Sequence, residues 1–107
     1  MPKKSMVILT ESMFYVLMAL TQCQMCGIEI NEYVNKKTNG RVFLGPATLY
    51  TILGKFENEK YIKEVCVDGR KRTYSITQKG IAAYRQEVDR LKMCISDAQN
   101  SEVDEVI

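Results

Sequence analysis

The chain has 107 residues, a formal net charge of +2 and no histidine, with 46% hydrophobic and 26% charged residues. That balance excludes a disordered chain, and the length allows one small domain with a modest core, for which pairing with a second copy would be a help. No run of eighteen apolar residues occurs and Met1-Pro2-Lys3-Lys4 is not followed by a signal-peptide core, so the expected location is the cytoplasm, with no membrane partner.

Leu9-Thr10-Glu11-Ser12 carries the signals of a helix start, with Thr10 as cap and Glu11 in the first turn. Met13, Phe14, Val16, Leu17, Met18, Ala19 and Leu20 follow, apolar nearly all round, which predicts burial on more than one side. Gly27 opens a second helix through Ile28, Ile30, Glu32, Tyr33 and Val34. Lys36 and Lys37 suit the negative end of its dipole, and Asn39-Gly40 terminates it. Arg41-Val42-Phe43-Leu44 reads as a short extended strand leading to the next helix.

Gly45-Pro46 starts that third helix: proline has no N–H to leave unpaired in a first turn, and glycine tolerates unusual angles at the start. Leu49, Ile52, Leu53 and Phe56 make one apolar face, leaving Ala47, Thr48, Tyr50, Thr51 and Lys55 pointing elsewhere. Small and hydroxylated side chains let a helix N-terminus approach a DNA groove and bond phosphates or base edges, although an ordinary solvated polar face has the same composition. Tyr61 to Val67 and Thr73 to Ile76 then read as two strands, with Ile62 and Val65 nearest the preceding helix and Asp68-Gly69 as the turn. Arg70, Lys71 and Arg72 fall at the tip or on the rising strand, where three consecutive cations repel one another unless solvated or facing an anion such as phosphate.

After this hairpin Thr77 caps a long helix in which Ile81, Tyr84, Val88, Leu91, Ile95 and Ala98 alternate spacings of three and four. So narrow a seam asks for another helix, either its own small domain or a partner chain, and its length favours the partner. The expected fold class is α+β, mostly α: a winged helix-turn-helix over residues 1–78, with a C-terminal dimerisation helix and tail over 79–107. Charge divides the same way. Between Lys36 and Arg72 nine cations face four acids, and from Thr77 onward four cations face six acids.

The four cysteines include Cys23-Gln24-Met25-Cys26, but with no histidine and only Cys66 and Cys94 besides, zinc is not expected and no metal or cofactor is assigned. Inert thiols are the simplest reading and a redox switch the alternative. Without histidine, a glycine-rich phosphate loop or a nucleophile motif, and with Glu29 and Glu32 reading as solvated carboxylates, an enzyme is not expected and no catalytic residues are assigned. The competing class is a winged-helix protein-interaction module without sequence-specific DNA binding, against which the cationic hairpin tip argues.

Leu44-Gly45-Pro46-Ala47-Thr48-Leu49-Tyr50-Thr51-Ile52-Leu53, then Phe56 to Ile62, then Gly69 through Gly80 closely resemble the PadR family of bacterial transcriptional regulators, and the likeness covers roughly residues 8 to 95. The resemblance implies a dimeric winged helix-turn-helix repressor of a pseudo-palindromic operator, of the smaller subclass with one long dimerisation helix. It implies that Pro46, Thr48, Tyr50, Thr51 and Lys55 contact double-stranded DNA from the recognition helix, and Arg70, Lys71 and Arg72 from the wing. Two departures stand out: Cys26-Gly27, where many members carry an aromatic residue before the glycine, and the lack of the tryptophan on which some drug-responsive members stack planar ligands, Leu91 falling near that place. Met6, Met13, Met18 and Met93 are core filler or the lining of an adaptable pocket for a small apolar effector.

Overall fold

A computed structural model describes residues 8–101. The elements run α1 (Glu11–Gln22), β1 (Met25–Cys26), α2 (Gly27–Lys37), α3 (Pro46–Asn58), β2 (Ile62–Asp68), β3 (Lys71–Ile76) and α4 (Gln78–Gln99). Both predicted threonine caps are in place, the Thr10 hydroxyl accepting from the Met13 N–H and the Thr77 hydroxyl from the Gly80 N–H, each at 3.1 Å. Helix α2 ends as expected, with Asn39 and Gly40 at φ of +53° and +78° and the Gly40 N–H returning to the Asn35 carbonyl at 2.8 Å.

Val16, Leu17, Ala19 and Leu20 of α1, Ile30 and Val34 of α2, Leu49, Ile52, Leu53 and Phe56 of α3, and Tyr61, Ile62 and Tyr74 of the hairpin form one buried cluster. Helix α1 is its axis, packing on α2, on β3 and on α4. Its remaining apolar residues Met13, Phe14 and Met18 are half-buried. Asp68 pairs with Lys71 around Gly69-Arg70, and Gly69 has φ +64°, the glycine-first arrangement of a tight hairpin turn. Of the two residues expected against α3, Ile62 is buried, but Val65 is not: it occupies a bulge between the Glu64 and Cys66 pairs and is 39% exposed.

The third strand lies elsewhere than expected. The sheet order is β1-β3-β2, and β1 is Met25–Cys26, paired with Tyr74 and Thr73 between the first two helices. Arg41 to Leu44 joins no sheet, because its polar backbone is satisfied by side chains. The Thr38 hydroxyl accepts from the Val42 N–H at 3.0 Å, and the Asn31 amide donates to the Leu44 carbonyl at 2.9 Å while accepting from the Leu44 N–H at 3.4 Å. Gly45 too is ordinary, at φ −67° and ψ 160°, so the start of α3 does not require a glycine's freedom.

Helix α4 outruns the domain. The radius of gyration is 16.2 Å, against ~13 Å for a compact chain of this length. Its first half lies on α1, where Tyr84 stacks on Phe14 with ring centroids 5.3 Å apart. Beyond Leu91 every described residue of the helix is exposed, Met93 and Ile95 at 62% and 56%. The heptad seam is thus divided: Ile81, Tyr84, Val88 and Leu91 are half-buried within the chain, and Ile95 and Ala98 are uncovered.

Candidate nucleic-acid interface

Four buried side chains, Leu49, Ile52, Leu53 and Phe56, anchor α3 and so fix which side faces out. Pro46, Ala47, Thr48, Tyr50, Thr51 and Lys55 are all exposed, as is Gly54, which no pattern in the sequence singles out. Gly54 follows Ala47 and Thr51 at helical spacing on that outer face, and a Cβ placed on it would meet nothing within 4 Å. No contact within the chain requires a glycine there, and a helix-interior glycine costs about 1 kcal/mol relative to alanine. A small-residue stripe on a convex helix allows close approach of another surface.

Tyr50 is placed differently from its neighbours. It is half-exposed, and its ring lies across the start of α2, so that a Cβ on Gly27 would stand 2.9 Å from the Tyr50 hydroxyl oxygen. Gly27 is the first residue of α2 and follows Cys26, whose strand partner is Thr73, two residues from Lys71. Strand β1 thereby ties the start of α2 to the wing, and Tyr50 ties it to α3. The start of α2 therefore touches both α3 and the wing strand. Glu29 lies there as well: its carboxylate accepts from the Cys26 N–H at 2.9 Å, and that bond, with the nearby Lys71 charge, holds its pKa below the ordinary carboxylate range. Glu29 is therefore a helix cap rather than the free solvated carboxylate the sequence suggested.

The three wing cations are not equivalent. Arg70 occupies the hairpin turn and Lys71 opens β3, both exposed and without an ion pair among the described residues. Arg72 donates from Nε to Glu64 Oε2 at 2.8 Å and from Nη2 to Oε1 at 3.1 Å, and the guanidinium holds the Glu64 pKa low. Arg41, counted with the basic middle of the chain, is held by α1: its guanidinium pairs with Glu11, donates to the Tyr15 hydroxyl at 3.1 Å and lies 5.9 Å from that ring's centroid.

A groove of about 410 Å³ separates α1 from α4, lined by Leu9, Thr10, Glu11, Phe14, Tyr15, Glu87, Arg90 and Leu91. Leu91 is on its wall, but of the methionines considered for an effector pocket Met13, Met18 and Met93 are not, and Met6 lies outside the described residues. Sequence reasoning missed Glu87, 5% exposed and paired with Arg90 at 2.6 Å. Its only signal was a carboxylate beside an apolar seam. Cys23, Cys66 and Cys94 are exposed and Cys26 is buried, all as free thiols. Among the described residues no cluster of metal-binding side chains occurs, and no helix is long and apolar enough to cross a membrane.

An apolar-anchored third helix beside a two-stranded cationic wing defines a winged helix-turn-helix, the architecture of a DNA-binding regulator. The profile of the transcriptional regulator PadR-like family matches residues 16–86, and the chain belongs to that family. It is a family of transcriptional regulators, not of enzymes. A transcriptional regulator from Clostridium thermocellum superposes with a TM-score of 0.74 at 26% identity, over 81% of this chain and 88% of that one. A PadR-like transcription factor from Bacteroides fragilis gives 0.70 at 16% identity over 82% and 86%, and RosR of H. salinarum 0.66 at 22% over 88% and 81%; at those identities the likeness is one of fold. No curated protein matches the chain in sequence.

Proposed function

We propose that the protein is a cytoplasmic homodimeric repressor that binds a pseudo-palindromic promoter operator. The observation that carries this reading is the joining of α3, the start of α2 and the wing, with Tyr50 over Gly27 and β1 paired to β3 beside the exposed Arg70 and Lys71. In this reading Pro46, Thr48, Tyr50, Thr51 and Lys55 enter the major groove with the N-terminal end of α3, and Arg70, Lys71 and Arg72 hold flanking phosphates. Repression follows from excluding polymerase.

The uncovered half of α4 supports a dimer. Ile95 and Met93 are large apolar side chains left in water, on a helix whose seam continues past the domain. Residues up to 78 would then be the DNA-binding part and the remainder the dimerisation part. A two-fold through paired α4 helices sets two recognition helices about one DNA turn, ~34 Å, apart. A small, largely apolar effector seated between subunits, against the α1–α4 groove, would alter that separation and release DNA.

The test is titration of the protein into DNA from immediately upstream of its coding region, beside random duplex of equal length, over a salt series. Tight cognate binding with a steep salt slope is the expected result. Absence of salt-dependent binding to any duplex would favour the protein-interaction module.

A further inference from the structure

Among the described residues Arg72 is the one wing cation with an ion pair, and the following rests on the DNA-binding reading. Glu64 faces Tyr74, and Arg72 is Tyr74's neighbour on the same side of β3, so the two charges meet diagonally across the hairpin. One guanidinium edge, Nε with Nη2, is engaged, on both carboxylate oxygens. The Glu64 side chain is 24% exposed and that of Arg72 51%, so the acid is seated in the hairpin while the guanidinium remains open to solution. A phosphate presents the same paired oxygens to the same fork.

We propose that Glu64 is a built-in competitor for the DNA backbone, a specificity-determining residue that withholds Arg72 from loosely held DNA. A phosphate takes that same edge only by displacing the carboxylate, and until it does the Glu64 charge offsets its attraction to the guanidinium. Loosely seated DNA engages Arg70 and Lys71 alone, whereas a site that draws the wing close makes the exchange. Glu64 thus lowers affinity for random sequence more than for the operator.

The experiment measures the salt dependence of binding to a random-sequence duplex for the full chain and its variants. Neutralising the competitor in Glu64→Gln frees one cation per wing, steepening the slope by about 0.9 and enlarging the drop in affinity between ~50 and ~200 mM salt by about 3.5-fold per engaged wing. Arg72→Ala in the otherwise native protein is expected to leave the slope on random DNA within error, unlike Lys71→Ala. In the Glu64→Gln, Arg72→Ala double variant the gain disappears. Asp68→Asn, which removes an exposed acid of the same wing that has no ion pair among the described residues, is expected to leave the slope nearly unchanged.

An unchanged slope in Glu64→Gln overturns the proposal, as does an equal gain in Asp68→Asn or a gain that persists without Arg72. So does a flattening in Arg72→Ala as large as that in Lys71→Ala. Each of these leaves the DNA-binding reading standing, since the native protein still binds duplex. Failure of the native protein itself to show salt-dependent binding overturns both.

Discussion

Gly54 and Gly80 offer the same substitution, to alanine, with opposite expected signs. A Cβ on Gly80 would stand 2.2 Å from the Tyr61 carbonyl oxygen, 2.8 Å from Ile76 Cγ1 and 3.0 Å from the Tyr61 carbonyl carbon. Two of those atoms are backbone, so relief requires the first turn of α4 to withdraw by about 1 Å or more. That withdrawal strains the joint between β2 and α4, where the Thr77 N–H donates to the Tyr61 carbonyl at 2.9 Å and the Thr77 hydroxyl to the Lys60 carbonyl at 2.7 Å. Overpacking costs ~1–3 kcal/mol, here toward ~2–3 because the closest contact is with backbone, and the better helix propensity of alanine returns up to ~1 kcal/mol. Gly80→Ala is therefore expected to lose about 1–2 kcal/mol and roughly 4–16 °C in Tm. Gly54→Ala meets nothing within 4 Å, so it should gain about 0.5–1 kcal/mol, or roughly 2–8 °C. Thermal denaturation followed by circular dichroism, at one fixed protomer concentration, measures both. If the outer face of α3 docks in a groove, Gly54→Ala should bind cognate DNA more weakly while melting higher. A Gly80→Ala protein that melts at or above the native temperature, or a Gly54→Ala protein that melts below it, would refute the reasoning.

Replacing Arg70 and Lys71 by alanine should weaken binding to cognate and random DNA alike and flatten the salt slope by about 0.9 for each phosphate no longer engaged; replacing Thr48 should hurt the cognate site most, and equal effects on both DNAs for both classes would contradict the assignment. Lys60 occupies the left-handed C-terminal position of α3 at φ +67°, with the Tyr61 N–H returning to the Phe56 carbonyl at 2.9 Å. Lys60→Gly is expected to raise stability by up to ~1 kcal/mol in denaturant unfolding, since a non-glycine residue is disfavoured by ~1–2 kcal/mol in that conformation and the glycine's greater unfolded-state freedom offsets part of the gain. Glu29 and Glu64 have folded-state pKa values below their unfolded ones, so their contribution is present at neutral pH and is lost as pH falls through the lowered values. The Tm of Glu29→Gln measured against pH should accordingly show a shallower acid decline than that of the native protein.

Where a local rule decides an element, the sequence is readable. Thr10 and Thr77 cap because a hydroxyl before a helix has an orphan N–H to bond, Pro46 starts α3, and Gly69 turns the hairpin. What escaped depends on partners distant in sequence. Met25 and Cys26 have no strand signal of their own and become β1 only by pairing with Tyr74 and Thr73. Arg41 to Leu44 has the composition of a strand but is claimed by Asn31 and Thr38. The same limit applies to the site. The outward set on α3 follows from its period, whereas the neutralisation of Arg72 depends on hairpin register, and the position of Tyr50 depends on where α2 begins. The seam of α4 is visible throughout its length, but periodicity does not say that its first four positions are used within the chain.

The position of Arg41 gives the small fold a mechanical unity. Glu11 and Tyr15 hold this arginine, and the same two side chains line the groove between α1 and α4. Arg41 lies in the segment whose next anchors, Thr38 to Val42 and Asn31 to Leu44, deliver the chain to the first residue of α3. Beside them on α1, Phe14 carries the stack with Tyr84 of α4. Under the proposed function, a displacement of α4 would reach the start of α3 through α1, the Arg41 guanidinium and the anchored loop after it. The route begins where a second subunit or an effector would bind and ends where DNA would be read, and the wing, joined to α4 through Thr77, lies on its opposite branch. If α4 pairs two subunits as proposed, its two connections to α3 and the wing would convert a small change in subunit spacing into a change in the angle at which they meet a duplex.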